Sequence, residues 1–180
     1  GDHRIDSKDR VALGSAAPDF FGGFYTQFKY KGFALGAEFS YSKGNMAYNA
    51  VRNQLEGMNT LGNQSIAVLN RWSLDGQVTN MPRVQHNDPY RSTSFSERWL
   101  EDASYLRMKS VTLSYSFDKT VLNFFRSGTL YVSGENLLTA TKYLGLDPEF
   151  SYSYGETSQG LDYAKMVQPK SVKFGVNLKF

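Results

Sequence analysis

The sequence has no cysteine, which excludes disulfides and thiolate-held metals. Histidine is nearly absent. His3 and His86 stand alone, without the i, i+4 partner or flanking glutamate that metal or hydrolytic chemistry requires. No GxGxxG and no phosphate-binding loop occurs, and no carboxylate is set beside a nucleophile, so no enzyme is expected. Charge of one sign is also lacking. The formal net charge is only +3, which gives no reason to expect a nucleic-acid partner. Long hydrophobic runs are missing too. The longest, such as Ile66-Ala67-Val68-Leu69, fall far short of the ~18 residues of a transmembrane helix. Any membrane crossing must therefore be made by strands.

The residues that are plentiful suit that possibility. Aromatics reach 15%, with 12 Tyr and 13 Phe, and there are 16 Gly among the 180 residues. A chain that is polar on average yet rich in Tyr, Phe and Gly fits a barrel with a wet lumen, an apolar belt and aromatic girdles. The last ten residues alternate strictly. Val172, Phe174, Val176, Leu178 and Phe180 are apolar, whereas Ser171, Lys173, Gly175, Asn177 and Lys179 are polar or small. This is a period-2 strand long enough (about 9–11 residues) to cross a bilayer. The same pattern predicts strands near 20–30, 33–42, 107–117 and 129–138, with 171–180 as the fifth. The first two are joined at Lys31-Gly32 as a hairpin.

The connections alternate between short and long, with long loops near 43–106 and 139–168. Barrels of the outer membrane have short periplasmic turns and long extracellular loops. The last strand then runs inward, with the carboxy terminus periplasmic and the amino terminus extracellular. Five strands are an odd number and cannot close alone, so the chain is expected to be part of a larger barrel. No apolar segment follows Gly1, so the secretion signal of such a protein is expected upstream. Good helix formers between Ala47 and Leu69 predict a helical stretch in the first loop, and Glu101-Asp102 is expected to mark the start of a strand.

Several segments, in order, carry a resemblance to a family. Pro18-Asp19-Phe20-Phe21-Gly22-Gly23-Phe24 is followed by Tyr30-Lys31-Gly32-Phe33, Asn70-Arg71-Trp72-Ser73 and Met81-Pro82-Arg83. Then come Leu100 through Tyr115, Tyr131 through Thr139, Thr141-Lys142-Tyr143, Asp147-Pro148-Glu149 and Pro169 through Phe180. Together they resemble the carboxy-terminal barrel region of the SusC/RagA family of TonB-dependent outer-membrane transporters of Bacteroidota. The resemblance implies an all-β fold, an antiparallel transmembrane β-barrel segment that forms the last part of a barrel of roughly 22 strands. It implies a plug domain absent from this chain, a SusD-like lipoprotein lid, energy from TonB, and cargo of glycan oligomers or peptides. The rival reading is a soluble β-rich binding or adhesin-like module.

Candidate site residues follow from both readings. Arg71 and Trp72 in the first loop, with Arg83 and Trp99, and Tyr143, Tyr152 and Tyr154 in the last, with Phe150 and Tyr163, are candidates for ligand or lid contact. Amphipathic aromatics favour such surfaces, and packing between large loops is the competing role. Phe180 is the candidate terminal signal for barrel assembly. Glu38, Glu135, Lys173 and Lys179 are predicted to face the lumen. Calcium is the only ion that the resemblance raises, at the amino-terminal loop. It requires six to eight oxygens, and Asp2, Asp6 and Asp9 stand there among Lys8 and Arg10. No cofactor is therefore expected.

Overall fold

A computed structural model describes residues 7–89, 91–118, 126–150 and 159–180. In chain order the strands are β1 (Phe20–Tyr30), β2 (Phe33–Lys43), β3 (Met46–Asn49), β4 (Leu100–Asp102), β5 (Tyr105–Asp118), β6 (Ser127–Thr141), β7 (Leu161–Asp162) and β8 (Ser171–Lys179). One short helix, α1 (Ala50–Glu56), follows β3. Five long strands form an antiparallel meander in the order β1-β2-β5-β6-β8. The three short ones form a second, mixed sheet in the order β4-β3-β7.

The alternation read from the sequence sorts the large sheet into two faces. On one face Phe33 stands opposite Tyr115, Leu35 opposite Leu113, Leu113 opposite Val132, and Val132 opposite Phe174. On the other, Gly36 stands opposite Thr112, Thr112 opposite Ser133, and Ser133 opposite Lys173. The apolar face is uncovered: Phe174 is 82% exposed and Phe28 70%. The polar face is knitted by its own side chains. Thr112 and Ser133 hydroxyls lie 2.9 Å apart, those of Ser116 and Thr129 3.1 Å apart, and Lys173 donates to Glu135 at 2.5 Å.

Aromatic pairs bound the apolar face at both ends. Phe24 stacks on Phe39 at 4.8 Å and Phe20 meets Tyr41 at 6.2 Å toward the long loops, while Phe33 meets Tyr115 at 4.6 Å toward the short links. Phe33 and Tyr41 are eight residues apart on β2, about 27 Å along the strand. A tilt of ~40° shortens this to roughly 20 Å, comparable with the ~25 Å apolar band of outer-membrane barrels.

Glycines sit beneath aromatic rings on both faces. A Cβ at Gly22 would meet the Tyr41 hydroxyl at 2.9 Å, and at Gly175 and Gly128 it would enter the rings of Tyr131 and Phe117. These rings lie flat over the neighbouring strand and shield its backbone, as aromatic rescue of glycine does. The β1–β2 link is a two-residue turn with Lys31 at φ 44° and Gly32 at φ 84°. Both values are positive, as a type I′ hairpin requires.

β5 begins at Tyr105, two residues before the start near 107 expected from the sequence, and it runs through Lys109, where the alternation is broken. The cause is a bulge: Lys109 is extra relative to β2, and it faces Asn136 and Leu137 of β6, with Asn136 at φ 51°. The bulge shifts the phase, so Leu106 and Met108 share the outer face with Val111 and Leu113. The helical stretch expected from Ala47 to Leu69 is shorter and divided. α1 ends at Glu56, Met58 turns the chain at φ 51°, and a 3₁₀ turn covers Ile66–Asn70. Gly57 is still right-handed, and the left-handed Met58 after it stops the helix because it cannot continue the i→i−4 ladder.

Candidate functional site: the loop-side end of the sheet

β1 begins, and β8 begins, at the end of the sheet where both long loops emerge. The Lys31-Gly32 link, the end of β5, the start of β6 and Phe180 lie at the opposite end. At the loop end the chain stops alternating and builds a polar core. Trp99 is 1% exposed, with the guanidiniums of Arg98 and Arg52 at 4.9 and 5.4 Å from its ring. Arg52 donates to Glu56 at 3.1 Å, to the Arg98 carbonyl at 2.8 Å and to Glu101. Asn49 caps α1 by accepting from the Arg52 N–H at 2.8 Å. Burial opposes the charge of Arg52, but the bonds from Glu101 and Glu56 outweigh it and raise its pKa.

Glu101 joins the two long loops, since its other oxygen accepts from the Leu144 N–H at 2.9 Å. The Tyr48 N–H donates to the Gly160 carbonyl at 2.7 Å, and β3 pairs with β7 in parallel. Tyr143 is 6% exposed and donates to Asp162 at 2.5 Å. Burial first, and then Asp162, push its pKa far up, so it stays a neutral donor. The described parts of the two loops are therefore joined.

A second cluster fastens the joined loops to the wall. Arg107, 3% exposed, projects from the polar face of β5. It donates to Thr139 at 3.1 Å, to Glu149 at 3.0 Å and to Asp147. Lys109 donates to both Glu149 oxygens, at 2.8 and 2.6 Å. Asp147 also accepts from the backbone N–H groups of Glu149 at 2.9 Å and Gln168 at 3.2 Å. Burial works against the charged form of Asp147, yet Arg107 and the two N–H groups prevail and hold its carboxyl below the usual range. Segments that the sequence presents as separate motifs, Leu106-Arg107-Met108-Lys109 and Asp147-Pro148-Glu149, are two halves of this cluster. The only advance sign is complementary charge, two cations at i, i+2 and two anions at i, i+2.

The structure distributes the sequence candidates among different settings. Tyr143 takes the packing role: its ring lies 5.4 Å from that of Phe150 and its hydroxyl is committed to Asp162. Trp99 is likewise core. Tyr163 accepts from Gln54 at 2.6 Å. Arg71 and Trp72 lie in an excursion of the first loop, where Arg71 bridges to Met81 and Arg83 sits 5.8 Å from the Trp72 ring. Met58, Val68 and Met81 form a small core there, and Leu61, Leu74 and Val78 stay exposed. Phe180 is exposed. Tyr152, Tyr154, Asp2 and Asp6 lie outside the described residues.

No family model matches the chain. It is 32% identical to TonB-dependent receptor P3 of Formosa agariphila over 187 aligned residues, which cover all of this chain and 18% of the relative. Against TonB-dependent receptor SusC of Bacteroides thetaiotaomicron it is 25% identical over 183 residues, all of this chain and 17% of that protein. Among solved structures it matches the RagAB peptide transporter with a TM-score of 0.77 at 29% identity, covering 94% of this chain and 18% of that one. The chain thus spans less than a fifth of the length of these relatives. Sheet, faces and girdles define an antiparallel transmembrane β-barrel segment. Within that class it is similar to a stretch of TonB-dependent receptors, SusC among them, and of the RagAB transporter. The relatives are named as receptors and transporters, not enzymes.

Proposed function

We propose that this chain is the carboxy-terminal wall of a SusC-like, TonB-dependent outer-membrane importer that takes up glycan oligomers or peptides. The observation that carries the reading is the exposed apolar face, bounded by aromatics and backed by a polar face. About a dozen such side chains left in water would forgo on the order of 20 kcal/mol. That exceeds the ~5–15 kcal/mol by which a domain is stable, so bilayer contact is the physical solution. The soluble binding-module alternative leaves this face unexplained.

In this reading the edges of β1 and β8 pair with the other strands of the same barrel, whose lumen holds a plug, and TonB acts through that remainder. The long loops lie outside the cell and Phe180 lies in the periplasm, where it serves as the terminal assembly signal. The excursion bearing Arg71, Trp72 and the exposed Leu61, Leu74 and Val78 is the contact for a SusD-like lipoprotein lid. Peptide cargo is suggested by similarity to the RagAB peptide transporter and glycan cargo by the family resemblance, and the exposed loop aromatics suit both. Affinity purification from detergent-solubilised outer membranes, read by mass spectrometry, tests this. A plug-bearing polypeptide and a SusD-like lipoprotein are expected to accompany the chain. Recovery of the chain as a monodisperse monomer in plain buffer would overturn the reading.

A further inference from the structure

The excursion of the first loop is braced from within and exposed at its tip. Residues 70–81 are closed by their own polar groups. The Thr79 hydroxyl donates to the Asn70 carbonyl at 2.6 Å. The Gln77 side chain donates to the Arg71 carbonyl at 3.1 Å and accepts from the Ser73 N–H at 2.8 Å. The Trp72 N–H donates to the Met81 carbonyl at 3.0 Å, and Met81 fills the small core with Met58 and Val68. At the tip the Gln77 N–H donates to the Leu74 carbonyl at 3.1 Å, and Gly76, at φ 83°, has nothing within 4 Å of where a Cβ would stand. Leu74 and Val78 flank this turn and are 72% and 99% exposed. An ordered loop that holds apolar side chains out to solvent has the form of an interaction surface.

Three arginines converge on the base of this loop. Arg98 donates to the Asn80 carbonyl and to the Met81 sulfur, both at 2.8 Å. Arg83 lies over the Trp72 ring, and Arg71 donates to the Val68 carbonyl at 3.4 Å. None of the three is paired with a carboxylate among the described residues, whereas Arg52 and Arg107 hold two each. Asp88 is spent on Ser92 and Thr93. Residues 44–108 contain no lysine. Diffuse attraction to a charged bilayer surface takes either cation, whereas a fixed, two-pronged partner selects arginine.

We propose, on the lid reading above, that residues 70–83 dock an acidic surface of the lipoprotein lid. Leu74 and Val78 enter an apolar recess of that surface, and its carboxylates meet Arg71 and Arg83. Arg98 adds positive potential at the base. Tryptophan and arginine are enriched where binding energy concentrates at protein interfaces. The stack of Arg83 on Trp72 and the internal bonds order the loop beforehand, which lowers the entropic cost of docking.

The test uses the full-length protein purified from outer membranes together with its lipoprotein, carrying Arg71→Lys and Arg83→Lys. A carbodiimide joins an amine to a carboxylate only where the two touch, and this stretch offers it no other lysine. Amide cross-links from positions 71 and 83 to Asp or Glu of the lipoprotein, mapped by mass spectrometry, are expected. Arg71→Glu with Arg83→Glu should lower the lipoprotein recovered at least about tenfold, with the heat-modifiable band showing an assembled barrel. Cross-links confined to this chain, or full retention of the lipoprotein by the double Glu variant, overturn the docking loop and leave the lid reading standing. Wild-type protein that purifies without a lipoprotein overturns both. Loss of bound anionic lipid in the double Glu variant, with the lipoprotein retained, assigns the loop to the bilayer surface and overturns the proposal.

Discussion

Tyr143 and Asp147 show how a loop of apparent surface residues becomes a fixed body. The Tyr143 hydroxyl satisfies Asp162, which is 4% exposed, and its ring fills the space beside Ala47 and Ala103. Tyr143→Phe keeps the ring and strands part of a buried carboxylate. It is expected to cost about 1–3 kcal/mol, measured as faster proteolysis of the loops with the barrel intact. Asp147 supplies a pH dependence. Its folded pKa is depressed, so its contribution is complete above the unfolded carboxylate value of about 3.9 and is lost as pH falls below it. Loop protection should therefore be flat from neutral down to mildly acid pH, and fall in strong acid. A loss of protection around pH 6–7 would assign the transition to another group. Neither role was legible beforehand. Tyr143 reads as one of a crowd of loop aromatics, and no local pattern reveals that Asp147 lies against Arg107, 40 residues away.

Strand β5 carries the lesson at the scale of elements. Its alternation is broken at Lys109, and the sequence alone places its start near 107. The structure continues it back to Tyr105 because the bulge absorbs one residue. The phase change was visible in the residues: Leu106 and Met108 are even, whereas Val111 and Leu113 are odd. Deleting Lys109 would remove the bulge and place Leu106, Met108, Val111 and Leu113 in one continuous alternation, so both halves would keep their faces. Deletion and Lys109→Ala are therefore both expected to assemble, read as the heat-modifiable folded band on a gel, and loss of the band on deletion alone would show that the bulge itself is required. Glycines under aromatic rings give a milder test. Gly175→Ala must displace Tyr131, so it should slow folding into vesicles. Combining it with Tyr131→Ala should cost less than the two single effects added, because the clash is then gone.

For the whole molecule, the two faces should respond oppositely to the same substitution. Leu113→Arg or Val132→Arg places charge on the apolar face near its middle. A cost of about 2–4 kcal/mol is expected in lipid, read by urea unfolding in vesicles. Thr112→Arg and Ser133→Arg, one residue along on the polar face, should be tolerated. Equal sensitivity on both faces would contradict the bilayer assignment. The Glu135–Lys173 pair on the polar face is open to water on both sides, so Lys173→Gln should leave stability essentially unchanged.

The sequence by itself determined the faces and the succession of long strands, because a period of two is a local property and each residue declares its side through its neighbours at i±2. It also determined the hairpin at Lys31-Gly32, where a two-residue link leaves few geometries. Only the tertiary structure decided what the long loops do. The small mixed sheet, the union of the two loops through Glu101, and the fastening of Asp147 and Glu149 to Arg107 and Lys109 all join residues about 40 or more positions apart. Pairings at that range leave no periodic trace along the chain. They follow from which side chains the wall brings together at its loop end, and therefore appear only once the strands are in register.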